Sequence, residues 1–216
     1  TVCCLLAKPY QVFVSDMVDL VLFFVLSIGV NCLILRDRMS SVAYDASLRR
    51  VSETDALTSL TNRGAGVQMI RSLLAQHQPG LFCMLDIDGF KEINDCCGHI
   101  VGDQVLVAVA RQLRFCFRAR DIVLRMGGDE FAVYAPGILD KAGGTHCTER
   151  LFDAISRLRF PELGERRVSV SLGGVFYDGS CSLSFEELYH AGDTALYHAK
   201  RRGKGCCCFS GGASSL

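Results

Sequence analysis

The chain has 216 residues, enough for one domain with an appendage. Its 23 Lys and Arg balance 23 Asp and Glu, which excludes nucleic-acid binding driven by net charge, so any phosphate binding has to come from a local cluster. The 12 cysteines do not read as a disulfide framework or a metal site. Cys3-Cys4, Cys96-Cys97 and Cys206-Cys207-Cys208 are contiguous, no CxxC pair or His/Cys metal spacing occurs, and Cys32, Cys83 and Cys116 sit in apolar runs. Reduced thiols in a reducing compartment are expected.

In chain order, the first element is Leu20 to Leu35, nearly all apolar; extending it back through Met17 adds one acid, Asp19. A membrane-spanning helix needs about 20 such residues, with a range of roughly 17 to 25. Arg36, Arg38, Arg49 and Arg50 follow and place the C-terminal side in the cytoplasm. A span at about 17–35 is therefore expected within a membrane segment 1–35, with a buried core helix as the other reading. No small-residue cleavage site follows, which argues against a signal peptide. The chain starts on Thr1 and enters on the apolar stretch Val2 to Ala7, so a longer protein with more spans is expected. Residues 36–52 read as a linker helix. Its short stripe of Met39, Val42 and Ala46 is too little to separate a solvated linker from a dimerising one.

From residue 53 to 209 helical and strand periods alternate. Helices are expected over 65–76, 101–117 (Val105, Val109 and Leu113 at four-residue spacing), 141–158 and 184–202, the last opened by a capping box of Ser184 and Glu187. Strands are expected over 81–85, 122–124, 131–134 and 168–177. Strands joined by tight hairpins and mixed with helices predict an α+β fold with a largely antiparallel central sheet flanked by helices. Residues 210–216 read as a flexible tail.

Four clusters carry possible chemistry. First, the apolar strand ends in Asp86-Ile87-Asp88, followed by Gly89, Phe90, Lys91 and Asn94. Strand ends at loops are where sites sit on rigid scaffolds, but Asp-x-Asp alone also fits solvated loop acids. Second, Gly98-His99 precedes Gly102-Asp103. Asp103 either caps the next helix or, with Asn94, faces a base. A carboxylate accepts the two donors on the guanine edge and rejects adenine, which lacks them. Third, Gly127-Gly128-Asp129-Glu130-Phe131 opens a strand. A glycine hairpin tip carrying paired acids suits phosphate and Mg²⁺, which takes one or two carboxylates plus substrate phosphates; an ordinary turn uses the same residues. Fourth, Lys200 and Lys204 end the last helix, either on dipole grounds or to hold a triphosphate tail.

Together these clusters resemble the GGDEF domain of diguanylate cyclases. The resemblance covers about 53–209 and includes Asp55-Ala56-Leu57-Thr58-Ser59-Leu60-Thr61-Asn62-Arg63, Val170-Ser171-Leu172-Gly173 and Ala191-Gly192-Asp193-Thr194-Ala195-Leu196-Tyr197. It implies condensation of two GTP into cyclic di-GMP and two pyrophosphates by a homodimer. It implies Mg²⁺ or Mn²⁺ on Asp86, Asp129 and the Ile87 carbonyl, with Asp129 or Glu130 deprotonating the ribose 3′-hydroxyl. Asn94 and Asp103 would read guanine. Lys91, Lys200 and Lys204, with backbone amides around Gly89 and Phe90, would bind phosphates. Arg118 and Asp121, an RxxD pair six positions before Gly127, would form a product-binding inhibitory site; an arginine serving the preceding helix end is the other reading. The implied setting is a bacterial inner membrane, anchored through the N-terminal helix, with the catalytic domain cytoplasmic and no nucleic-acid partner. Ser59 and Thr61 stand where Gly and Pro are usual in the family, and the cysteines at 96–97 and 206–208 also depart from it. A silent cyclic di-GMP receptor and a cyclase using ATP are the competing readings.

Overall fold

The structure is a computed structural model that describes residues 20–32 and 53–210. Residues 20–32 are helical with exposed apolar side chains. Among the described residues no helix is long and apolar enough to cross a membrane. The expected span of about 17–35 extends beyond the described residues at both ends, and the expected linker helix 36–52 lies outside them.

The chain divides into two compact units, the second beginning at Ser52, and that second unit folds around one sheet. Its elements are β1 (Thr61–Asn62), α1 (Arg63–Ala75), β2 (Gly80–Ile87), α2 (Phe90–Cys97), α3 (His99–Cys116), β3 (Ile122–Gly127), β4 (Glu130–Pro136), α4 (Lys141–Ser156), β5 (Val170–Tyr177), α5 (Phe185–Arg201) and β6 (Cys207–Ser210). The strand order is β1-β3-β4-β2-β5-β6. The central strands β3, β4, β2 and β5 are antiparallel, whereas the edge strands β1 and β6 pair parallel with β3 and β5. The sheet is therefore mixed rather than largely antiparallel. Both parallel strands are short, and β1 has only two residues, below any readable period. Ser210 belongs to β6 and not to a tail.

Helices cover both faces of β2, so it reads as a continuous apolar run rather than an alternation. Leu81, Cys83, Leu85 and Ile87 point into one cluster with Val105, Val109 and Leu113 of α3 and Leu151 and Ile155 of α4. Phe82 and Met84 point into the other, with Ile70 of α1 and Leu188 and Leu196 of α5. The capping box at Ser184 and Glu187 is formed in both directions.

Helix α5 lies unusually close to the sheet, and glycines permit it. A β-carbon on Gly173 would come within 2.1 Å of the Leu196 amide nitrogen and 2.4 Å of the Gly192 carbonyl oxygen. One on Gly192 would come within 2.9 Å of both Met84 and Phe82. The motifs Val170–Gly173 and Ala191–Tyr197 are thus two halves of one packing contact.

A second contact ties the start of the domain to the β3–β4 hairpin. The Asp55 carboxylate accepts hydrogen bonds from the Thr58 amide (2.8 Å) and hydroxyl (2.7 Å). Arg125 donates to both Asp55 oxygens, at 3.1 and 3.3 Å, and to the Gly128 carbonyl at 3.1 and 2.7 Å. In the same turn Ser59 takes a left-handed φ of 57°, a conformation glycine adopts without cost. Burial pushes the Asp55 carboxyl up, but the Thr58 and Arg125 hydrogen bonds and the Arg125 charge outweigh it, and the net shift is below the ordinary value of 3.8.

Two outcomes are expected. Gly173→Ala cannot be relieved by a side-chain swing, because the obstructing atoms are backbone; urea unfolding should show a loss of about 3 kcal/mol, the upper range for overpacking. For Asp55, a folded value below the unfolded one means that its contribution is complete above pH 3.8 and fades as pH falls through the folded value. Asp55→Asn should therefore lower the urea midpoint at pH 7 and narrow its gap to the parent chain as pH drops below about 4.

Candidate functional site

The carboxylates gather at one end of the sheet. Residues 82, 84 and 86 of β2 alternate onto the face covered by α5. Asp86 is paired in register with Glu130 on β4 and with Ser171 on β5. Asp129 sits at the hairpin tip, and its carbonyl accepts from the Ile87 amide at 3.4 Å. From α5, the Lys200 ammonium reaches Asp86 Oδ2 at 2.7 Å.

Electrostatics tie these groups together. Burial pushes the Asp86 carboxyl up, Lys200 opposes the rise, and Asp129 and Asp88 add to it. Burial also raises Glu130, followed by the charges of Asp86 and Asp129, with Lys200 opposing and Asp193 adding. Three acids thus sit within mutual electrostatic reach beside one amine. Asp86 and Glu130, whose proton affinity is raised, are placed beside Asp129 to attract a cation or to take a proton.

The hairpin tip is shaped by backbone. Gly127 and Gly128 have φ of 144° and 55°, and a bulge separates Arg125 from Gly127 in the β3–β4 pairing. Arg125 holds the tip from below through the Gly128 carbonyl. Reading the sequence missed this arginine, although its position two residues before the glycines was a usable signal.

Asp88 was also missed as a structural group. It is not a solvated loop acid. Its oxygens accept from the Ser171 hydroxyl (2.6 Å), the Ser169 hydroxyl (2.8 Å) and the Gly205 amide (2.9 Å). It therefore fastens the turn after α5, in which Lys204 has a left-handed φ of 65°, to the ends of β2 and β5. The i, i+2 spacing of Ser169, just before β5, and Ser171 within it was the available signal. Cys206 completes this turn by donating to the Ala199 carbonyl at 3.2 Å.

A separate group lies on α2 and α3. Asn94 Oδ1 is buried without a hydrogen-bond partner. It faces Gly102, where a β-carbon would lie 1.9 Å from Oδ1 and 3.3 Å from the Phe90 ring. Gly102 is therefore the residue that makes room for the amide, another position not assigned from sequence. Helix α3 starts at His99, one turn before Asp103, so Asp103 is not a cap and stays exposed. Gly89 begins α2 with a φ of 68° and gives no side-chain cap, which leaves the first-turn amides around Phe90 and Lys91 for an anion. Lys91 and Lys204 are exposed.

Arg118 and Asp121 form a turn of their own. Asp121 Oδ2 accepts from the Arg118 amide at 2.7 Å, and Arg118 is exposed beside a cavity of about 370 Å³ that Arg114, Ser59 and Thr61 also line. No residue of the carboxylate group lines this cavity.

Burial raises the Cys83, Cys116 and Cys147 thiols, and Cys207 is pushed up to about 12. These thiols behave as core atoms and not as reactive groups.

The donor set fits Mg²⁺ or Mn²⁺ through hard oxygen ligands. Among the described residues no three His, Cys, Asp or Glu side chains are grouped to hold an ion. A pair of carboxylates with a carbonyl matches a small cation that retains waters and substrate phosphates, not a dedicated all-protein cage.

The sequence model described as "Diguanylate cyclase, GGDEF domain" matches residues 52–206. The uncharacterized protein YtrP of Bacillus subtilis is 36% identical over 178 residues, which cover 82% of this chain and 28% of that protein. Diguanylate cyclase DgcP of Pseudomonas aeruginosa is 37% identical over 183 residues, covering 79% of this chain and 27% of that one. The chain thus spans under a third of the length of both relatives. The coiled coil and GGDEF domain of DgcB from Caulobacter crescentus, solved with c-di-GMP, superimposes with a TM-score of 0.68 at 26% identity, covering 82% of this chain and 97% of that one. With the family signature at the tip of the β3–β4 hairpin and the family match taking in every strand of the second unit's sheet except β6, the chain belongs to the GGDEF family.

Proposed function

We propose that this chain is a diguanylate cyclase that condenses two GTP molecules into cyclic di-GMP and releases two pyrophosphates. The observation that carries this reading is the convergence of Asp86, Asp129 and Glu130 on one end of the sheet with Lys200 beside them. Asp86, Asp129 and the Ile87 carbonyl would hold Mg²⁺ or Mn²⁺. A divalent cation there supplies Lewis-acid stabilisation of the charge that develops on phosphate oxygens.

The chain's own residues account for the remaining requirements. Raised proton affinity makes Glu130 a stronger base than an ordinary carboxylate, suited to taking the proton of the ribose 3′-hydroxyl. Lys200 and Lys204 would draw the β- and γ-phosphates, aided by Lys91 and the amides around Gly89 and Phe90. The unpartnered Asn94 oxygen supports guanine reading, because a buried acceptor favours a ligand that brings a donor. Asp103 would take the second guanine donor, and the same pair disfavours ATP.

Each domain would supply one GTP, so a homodimer is required. The apolar helix at residues 20–32 supports anchoring at a bacterial inner membrane with this domain in the cytoplasm. Arg118 and Asp121, beside their own cavity, would bind cyclic di-GMP and inhibit. The full set of acids favours turnover over the silent-receptor reading.

Incubation of the chain with GTP and Mg²⁺, followed by nucleotide chromatography, should give cyclic di-GMP. Asp129→Asn, which removes a carboxylate proposed to hold the cation, should lower the rate by about 1000-fold, in keeping with the several kcal/mol such a cation supplies. Product binding without turnover at high protein concentration would instead establish the receptor reading. Arg118→Ala should raise the concentration of cyclic di-GMP needed for half-inhibition by at least about tenfold, a loss of 1.4 kcal/mol. An unchanged value would remove Arg118 from the inhibitory site.

A further inference from the structure

A groove of about 390 Å³ runs beside α5 and the edge strand β6, lined by none of the residues assigned above. Its volume lies within the roughly 300 to 1,000 Å³ typical of small-molecule sites. One wall is a stripe of α5 at four-residue spacing, His190, Thr194, His198 and then Arg202 at the helix end. The floor is apolar, from Ala195 on α5 and Phe209 on β6. Ser210 of β6 adds a hydroxyl across from the α5 stripe, and a small cavity with an apolar floor and a few polar groups at its edges is the composition expected of a ligand pocket.

We propose that this groove binds a small amphipathic organic anion, with a flat apolar body and one sulfonate or carboxylate group. The body would lie on Ala195 and Phe209. The acid would meet the permanently charged Arg202 guanidinium, whose planar fork matches such groups, and the ring nitrogens of His190 and His198 would supply further donors. The site is placed to influence the carboxylate group. Arg202 is the C-cap of α5, and its amide bonds the carbonyls of His198, Ala199 and Lys200. A ligand held there grips the same helical turn that carries Lys200 to Asp86.

The test is a binding measurement that needs no turnover, so its outcome is separate from that of the cyclase reading. The purified chain is dialysed to equilibrium against naphthalene-2-sulfonate and, in parallel, against naphthalene. The wild-type chain should take up one saturable equivalent of the sulfonate, with naphthalene bound at least about tenfold more weakly. Thr194→Trp, which fills the groove from an exposed position, should remove that equivalent. Arg202→Glu should weaken it by at least about tenfold. Thermal unfolding of both variants establishes that they are folded. Retention of the equivalent in both folded variants, equal binding of naphthalene, or no saturation below millimolar sulfonate would each overturn the proposal.

Discussion

Everything at the site depends on how closely α5 lies on the sheet. The helix backbone passes over Gly173 with room for a hydrogen atom and no more. At an ordinary helix-to-sheet separation Lys200 would stand further from β2, and its 2.7 Å contact with Asp86 would be lost. The acid is half-buried and surrounded by others of its charge, so the ammonium is what keeps an ionised carboxylate tolerable there. Packing between two glycines thus fixes an electrostatic arrangement that neither strand nor helix has alone.

Two polar fastenings extend that arrangement in opposite directions. Arg125 links the opening turn of the domain to the hairpin tip, so the glycine-rich tip is held by backbone and guanidinium and not by side-chain packing. Asp88 links the end of β2 to the turn after α5. Both use an ionised group to satisfy main-chain donors or acceptors, the stronger class of hydrogen bond. The mobile-looking parts of the motif, a tight hairpin and a glycine-flanked lysine turn, are in this way tied to the rigid sheet.

The sequence made the main elements legible because they are long and periodic. Helices α1, α3, α4 and α5 and the four central strands lie where the apolar spacing put them, and the Ser184 box is real. The edge strands were not legible, since two residues carry no period and Cys207–Ser210 carries an ambiguous one. Helix α2 has eight residues and few apolar ones, and was hidden among acids that also suit a loop. At the site, Asp86, Asp129, Glu130 and Asn94 stood out by residue type. Arg125, Asp88 and Gly102 did not, because their roles consist of contacts with residues 70, 117 and 8 positions away respectively. Asp103 was ambiguous until the start of α3 was known.

Two groups of glycines in this domain answer different demands. Gly173 under α5 is hemmed in by main chain and Gly192 by the Met84 and Phe82 side chains, whereas a β-carbon on Gly127 or Gly128 would meet nothing within 4 Å. At the hairpin tip the demand is torsional alone, and the open volume around it is left to whatever approaches from outside. The Gly127 and Gly128 α-carbons therefore lie outside the packed core, even though Arg125 fastens the loop to it. Sequence drift at the tip can erode reactivity while the scaffold keeps its shape, which gives such a domain a physically easy path from catalyst to binding module.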